Sequence, residues 1–265
     1  MYWQKRFDQV NPDEELEQEI KDIFEEHNGN YGYRRIEMVL RARGKTVNHK
    51  KIQRIKKKLN LQSIKFKRKS RKYNSYKGKV GAIAKNRLRR RFKTPVPHQK
   101  ITTDATEFKY YEKNVSGAIT IRKAYLDPFL DMFNSEVISY RLSPSPSAFA
   151  VCAALEEAIE RTSNCKYRRT FHSDQGWAYQ MKSYVNRLKD AQIFQSMSRK
   201  GNCLDNSVME NFFGIMKQEM YYGEIYDSFD SLKKAIDDYI HYYNNHRIKF
   251  KLKCSPVEYR MKLTA

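Results

Sequence analysis

The chain has 265 residues and 40% hydrophobic content, enough for a packed core in one large domain plus a smaller one. Its formal net charge of +22 is unevenly spread: residues 1–100 hold 29 Lys/Arg against 10 Asp/Glu, and no acidic residue lies between Glu37 and Asp104. A one-sign block of that length points to a polyanion, and to nucleic acid rather than membrane, because no long apolar face accompanies it. The longest small-apolar run, Ala148 to Leu155, is too short to span a bilayer. Four widely spaced cysteines with no C-x-x-C pair suggest neither a zinc site nor a disulfide framework, in keeping with a reducing cytoplasm.

In chain order, Asn11-Pro-Asp-Glu14 reads as a helix start with an Asn cap, followed by Leu16, Ile20, Ile23 and Phe24 at helical spacing as far as Gly29. Tyr33, Ile36 and Leu40 mark a second helix ended at Gly44. Asn48 caps a third, with Ile52, Ile55 and Leu59 on its inner face and Lys50, Lys51, Arg54, Lys56, Lys57 and Lys58 on the others. Three short helices with a basic last one suit a helix-turn-helix-like DNA-binding domain over 1–61, with Lys50, Lys51, Arg54 and Lys57 as DNA contacts. Residues 62–100 read as a basic linker. Arg68, Arg89 and Arg90 are its expected phosphate contacts, with Phe66, Tyr73, Tyr76 and Phe92 between the charges.

From Ile101 the period changes. Ile101 to Phe108, Ala118 to Ile121, Ala124 to Phe133 and Glu136 to Leu142 read as strands, and Ser147 to Arg161 as a helix. Thr170 to His172 is a further strand, Met181 to Lys189 a helix, and Gln192 to Ser196 a strand. The expected fold is α/β, a mixed sheet with helices on both faces, forming a core over 101–222. A tail over 223–265 has an amphipathic helix carrying Leu232, Ile236, Tyr239, Ile240 and Tyr243, then a basic turn from Arg247 to Lys253. A last helix is capped by Ser255-Pro-Val-Glu258. The tail is expected to cover the catalytic sheet, with DNA contact through Arg247 or Lys249 as the lesser option.

Three acids stand out. Asp104 ends Ile101-Thr-Thr, Asp174 follows the strand at Phe171-His172, and 35 residues separate Asp174 from Glu210. Met209, Phe212, Phe213, Met216 and Met220 form one apolar stripe at 100° per residue, leaving Asn206, Glu210 and Lys217 along its flank. Asp104, Asp174 and Glu210 are read as the catalytic, metal-binding set. Hard oxygen donors without a Cys/His cluster favour Mg²⁺, with Mn²⁺ as substitute. Two such ions, roughly 3.5–4 Å apart, suit in-line phosphodiester displacement. Asn206, Lys217, Arg199 and Lys200 are expected to meet DNA, the latter two in the Ser198–Asn202 loop. His172 and Trp177 are read as packing residues, and the glycine after Asp174-Gln175 as a conformational release for the turn.

The runs ITTDATEF, HSDQGWAYQ, SMSRKGNCLDNSVMENFFGIMKQE and YYNNHRIKFKLKCSPVEYR together resemble bacterial insertion-sequence transposases made from two overlapping reading frames, specifically their second, catalytic product, OrfB. The resemblance implies a retroviral-integrase-like, ribonuclease H-like core and a triad of Asp104, Asp174 and Glu210. It implies DNA transposition by strand transfer from a freed 3′-hydroxyl, an upstream-frame partner (OrfA), and self-association in a synaptic complex on element ends and target DNA. A catalytically silent DNA-binding or assembly subunit and a ribonuclease H-like nuclease are the alternatives. The chain starts without the upstream segment that supplies end recognition in the family, so alone it is expected to be catalytically competent yet poorly targeted. Two positions depart from the pattern: Ile101, where an aromatic residue is common, and Asp127, where a small polar residue is expected.

Overall fold

Asn48 turns its side chain back to accept the backbone N–H of Lys50 at 2.9 Å, and a helix starts at the next residue. It is the third of three N-terminal helices, α1 (Glu14–Glu26), α2 (Tyr33–Ala42) and α3 (His49–Lys58). Ile20, Ile23, Ile36, Leu40, Ile52 and Ile55 are buried between them, as the spacing predicts. Two details differ. Asn11 does not cap α1; its Oδ1 accepts from Asp13 N at 3.1 Å in a preceding turn, and the helix begins later. Lys56 is not on the outer face: its ammonium is buried, donates to the Tyr31 carbonyl at 2.6 Å and sits 4.5 Å above the Phe24 ring. Burial pulls its pKa down to about 8.

The computed structural model describes residues 11–63, 81–113, 117–200 and 202–264. It divides the chain into two units, Met1–Lys69 and Ser70–Ala265. In the second unit a six-stranded mixed sheet runs β2-β3-β1-β5-β6, with β4 also on β3. The strands are β1 (Lys100–Thr103), β2 (Thr106–Lys113), β3 (Ile119–Asp131), β4 (Val137–Ser143), β5 (Thr170–Ser173) and β6 (Phe194–Met197). The helices are α4 (Ala148–Arg161), α5 (Trp177–Gln180), α6 (Lys182–Asp190), α7 (Ser207–Met216), α8 (Phe229–Asn245) and α9 (Pro256–Thr264).

The segment expected to be one strand over 101–108 is two, β1 and β2, laid end to end along β3. The register runs Thr103↔Phe129 and Thr106↔Leu126, so Asp104 falls opposite Pro128. Proline has no N–H to give the ladder. The pairing lapses there, and Asp104 is freed from the sheet while held between two strand ends. Conversely, the two strands expected over 118–133 are one, β3.

Side chains alternate across β3. Ala124, Leu126 and Leu130 join Met209, Phe212 and Met216 of α7 and Leu232, Ile236 and Tyr243 of α8 in one core. Phe129 faces the other core, with Ile101, Phe171, Val151 and Leu155. The tail thus covers the sheet as expected. Arg247 is not free to contact DNA, however: it is 1% exposed and pairs with Glu219 through two hydrogen bonds of 2.7 and 2.6 Å, and Lys249 donates to the Tyr243 hydroxyl at 3.0 Å.

Part of the expected linker belongs to this unit. Residues 81–99 lie against the sheet edge, with Arg87 N donating to Ser196 Oγ at 2.9 Å, Asn86 Nδ2 to Asp205 at 3.0 Å, and Leu88 buried. Arg68, Phe66, Tyr73 and Tyr76 lie outside the described residues.

Candidate active site

β1 and β5 pair in parallel, Thr102 beside His172, so the chain leaves both strands at the same edge. Asp104 and Asp174 follow immediately, and both line a cavity of about 520 Å³. Asp104 Oδ1 accepts the Ala105 N–H at 2.8 Å, and its Oδ2 accepts Asn206 Nδ2 at 2.7 Å. Asp174 Oδ1 accepts the Gly176 N–H at 2.7 Å. Gly176 has an ordinary φ of −58°, so conformational release is not its reason. A Cβ there would come 2.8 Å from Asp174 Oδ1, so the residue is glycine for want of space.

Burial, then the neighbouring Asp174 charge and more weakly Glu210, pushes the Asp104 carboxyl well above its usual range. Burial also raises Asp174, against the Gly176 hydrogen bond. Glu210 stands exposed on α7, one turn beyond Asn206, and partial desolvation lifts its pKa. The structure therefore brings Asp104 and Asp174 into one cavity and sets Glu210 within electrostatic reach of Asp104 without lining that cavity. Among the described residues no group of three His, Cys, Asp or Glu side chains already stands in a metal-holding arrangement.

Lys217 and Asn206 do not stand at the surface as DNA contacts. Lys217 is 6% exposed, and its ammonium donates to Thr106 Oγ1 at 2.6 Å and the Glu107 carbonyl at 2.7 Å. It bolts the element carrying Glu210 to the strand that begins two residues after Asp104. Asn206 is buried beside Asp104, with Oδ1 lacking a partner. Arg199 and Arg90 are exposed but share one anchor, the buried Asp205, at 2.9 and 3.0 Å. Arg199 first, then Arg90, holds Asp205 far below the carboxylate range. Arg89 and Lys200 are exposed. His172 is structural, as expected: it contacts Ser196 Oγ at 2.9 Å and the Asp205 carbonyl at 3.1 Å. In the N-terminal unit Lys50, Arg54 and Lys57 line a groove of about 660 Å³. Lys51 is tied to Asp13, to which Arg54 also reaches at 2.8 Å.

The chain is 46% identical over 248 residues to the transposase InsK of insertion sequence element IS150 from Escherichia coli, covering 93% of this chain and 83% of that protein. It belongs to the insertion-sequence transposase family. A transposase-like protein of Haemophilus influenzae is 49% identical over 215 residues, covering 81% of this chain and 93% of the relative. The integrase core domain family matches residues 95–203, a second integrase core description matches 210–263, and an HTH-like domain matches 12–70. A chain in the cryo-EM structure of the simian T-cell lymphotropic virus intasome with PP2A regulatory subunit B56 gamma superposes with a TM-score of 0.50 at 16% identity. It covers 80% of this chain and 66% of its own length. The fold is the ribonuclease H-like one of integrase and transposase cores, preceded by a helix-turn-helix-like unit.

Asp127, noted from the sequence only as a departure from the pattern, is part of the cavity as well. It lines the same cavity as Asp104 and Asp174. The available signal was a charged residue inside an otherwise apolar strand, Ala124 to Leu130.

Proposed function

We propose that the chain performs the DNA cutting and joining steps of transposition. Water attacks a phosphodiester at an element end and the 3′-hydroxyl leaves. That hydroxyl then attacks a phosphodiester of another DNA strand, displacing its own 3′-oxygen. The observation carrying this reading is the meeting of Asp104 and Asp174 in one cavity, with Glu210 close enough to raise Asp104.

A hard divalent cation fits the residues present, since the polar side chains lining the cavity offer oxygen donors. Asp104, Asp174 and Glu210 would hold it, two ions in the full site. When bound, Mg²⁺ or Mn²⁺ would activate the attacking oxygen and offset charge on the leaving one. The protein's part is placement. Backbone N–H groups of Ala105 and Gly176 fix one oxygen of each aspartate. Asn206 steers the second oxygen of Asp104, and Lys217 locks β2 against the helical segment of Glu210. Arg199, Lys200, Arg89 and Arg90 are assigned to DNA phosphate near the core. Lys50, Lys51, Arg54, Lys57 and Arg68 are assigned to DNA in the N-terminal region. Because such contacts release counterions, binding weakens steeply with salt. End recognition is assigned to joint action with an upstream-frame partner, and pairing of two ends to self-association.

The test is a labelled element-end duplex incubated with Mg²⁺ or Mn²⁺. Cutting and joining in wild type, both absent without the cation, support the reading. Metal-independent binding with no cutting, even with the upstream partner added, points to a silent assembly subunit. Cutting of RNA–DNA hybrids alone points to a ribonuclease.

A further inference from the structure

The cavity beside Asp104 and Asp174 is electrically unbalanced. Four acidic side chains line it, Asp104, Glu107, Asp127 and Asp174, and no Lys, Arg or His does. Glu107 has its own cation, Lys123, at 2.9 Å. Asp104 and Asp174 keep backbone or amide donors, as described. Asp127 has none of these: it is 3% exposed, and its carboxylate makes no hydrogen bond or ion pair among the described residues. Its cross-strand neighbour on β4, Arg141, is turned to Glu157 at 2.5 Å. The start of α4 also faces this space, where Ser147 lines the cavity and caps the helix. A helix end carries only partial charge.

A second group points the same way. The Tyr179 hydroxyl is buried, lines the same cavity and also has no partner. A buried carboxylate with no donor is costly, and buried polar groups without partners are rare in folded proteins. An unpaired acid and an unpaired hydroxyl facing one space are accounted for together if that space receives a hydrated cation.

We propose that Asp127 is a fourth acid of the site, one that strengthens divalent-cation binding in the Asp104–Asp174 cavity from the floor of β3. This rests on reading that cavity as the cation site and adds a residue to it. Asp127 reaches the cavity because β1 and β2 part opposite Asp127 and Pro128, and because odd-numbered residues of β3 face α4.

The experiment is Mn²⁺ titration of the full chain, read by electron paramagnetic resonance of the free ion, for wild type, Asp127→Asn, Asp127→Ser and Asp104→Asn. Circular dichroism checks that each variant is folded. Loss of a supporting carboxylate should weaken Mn²⁺ binding about tenfold in both Asp127 variants. An unchanged Mn²⁺ affinity in folded Asp127→Asn and Asp127→Ser overturns the proposal, whatever Asp104→Asn does. If Asp104→Asn alone weakens binding, the cavity remains the cation site and only the role of Asp127 falls. If neither position matters, the reading of the cavity falls as well.

Discussion

Two of the buried charge groups in the second unit differ in how they are satisfied. Around Glu219 every partner is present: Arg247 grips it with two hydrogen bonds, and the Tyr239 hydroxyl donates to Oε2 at 2.9 Å. Around Asp104, Asp127 and Asp174 there is mutual repulsion, a few N–H donors and no cation among the lining residues. The first is scaffold, complete in itself. The second is complete only with something added, which is how a site differs from a core.

That contrast predicts opposite responses to mutation. Removing one partner from the complete cluster should hurt most: Glu219→Ala strands a buried guanidinium and should cost about 3–5 kcal/mol in chemical denaturation. A variant as stable as wild type would show that the cluster is dispensable. Lys217 belongs with the scaffold, so Lys217→Met should cost about 2 kcal/mol by leaving Thr106 and Glu107 acceptors unpaired, and should also slow joining through a displaced Asp104. Loss of DNA affinity with unchanged stability would instead return Lys217 to the surface role expected from helical spacing.

The incomplete cluster should behave in the reverse sense. Asp127 titrates at about 7 in the fold against an ordinary 3.8. Between those values the folded chain keeps a proton that the unfolded chain has lost. Stability without divalent cation therefore falls as pH rises across that window, by at most about 1.4 kcal/mol per pH unit. Asp127→Asn removes this dependence, so its advantage over wild type should widen between about pH 4 and about pH 7. A constant gap would contradict it. The smallest effect is in the N-terminal unit: Asn48→Ala should lower its stability by about 1 kcal/mol through loss of the α3 cap.

Much of this was legible in the sequence, and the misses have physical causes. The strand end at Asp174, the acid-bearing motif around Asp104 and the Met/Phe stripe beneath Glu210 are local patterns, so period and motif found them. Lys217 does follow the flank of the stripe, but β2 packs over that flank and takes its ammonium at Thr106 and Glu107. A 100° step gives the face of a helix but not what covers it. Arg247 looked like surface because its partner, Glu219, is distant in sequence. The break at Asp104 depends on Pro128, which only the pairing register brings opposite. Asp127 was visible as an oddity, but its isolation is a fact of packing.

The most direct test joins function to stability in a single set of proteins: Asp104→Asn, Asp174→Asn and Glu210→Gln, each measured for Mg²⁺-dependent joining of an element-end duplex and for melting temperature without metal. Removing acids from an unbalanced site should abolish joining while leaving the two aspartate variants at least as heat-stable as wild type. Variants that join normally, or aspartate variants that melt well below wild type, would contradict the assignment of these acids to the site.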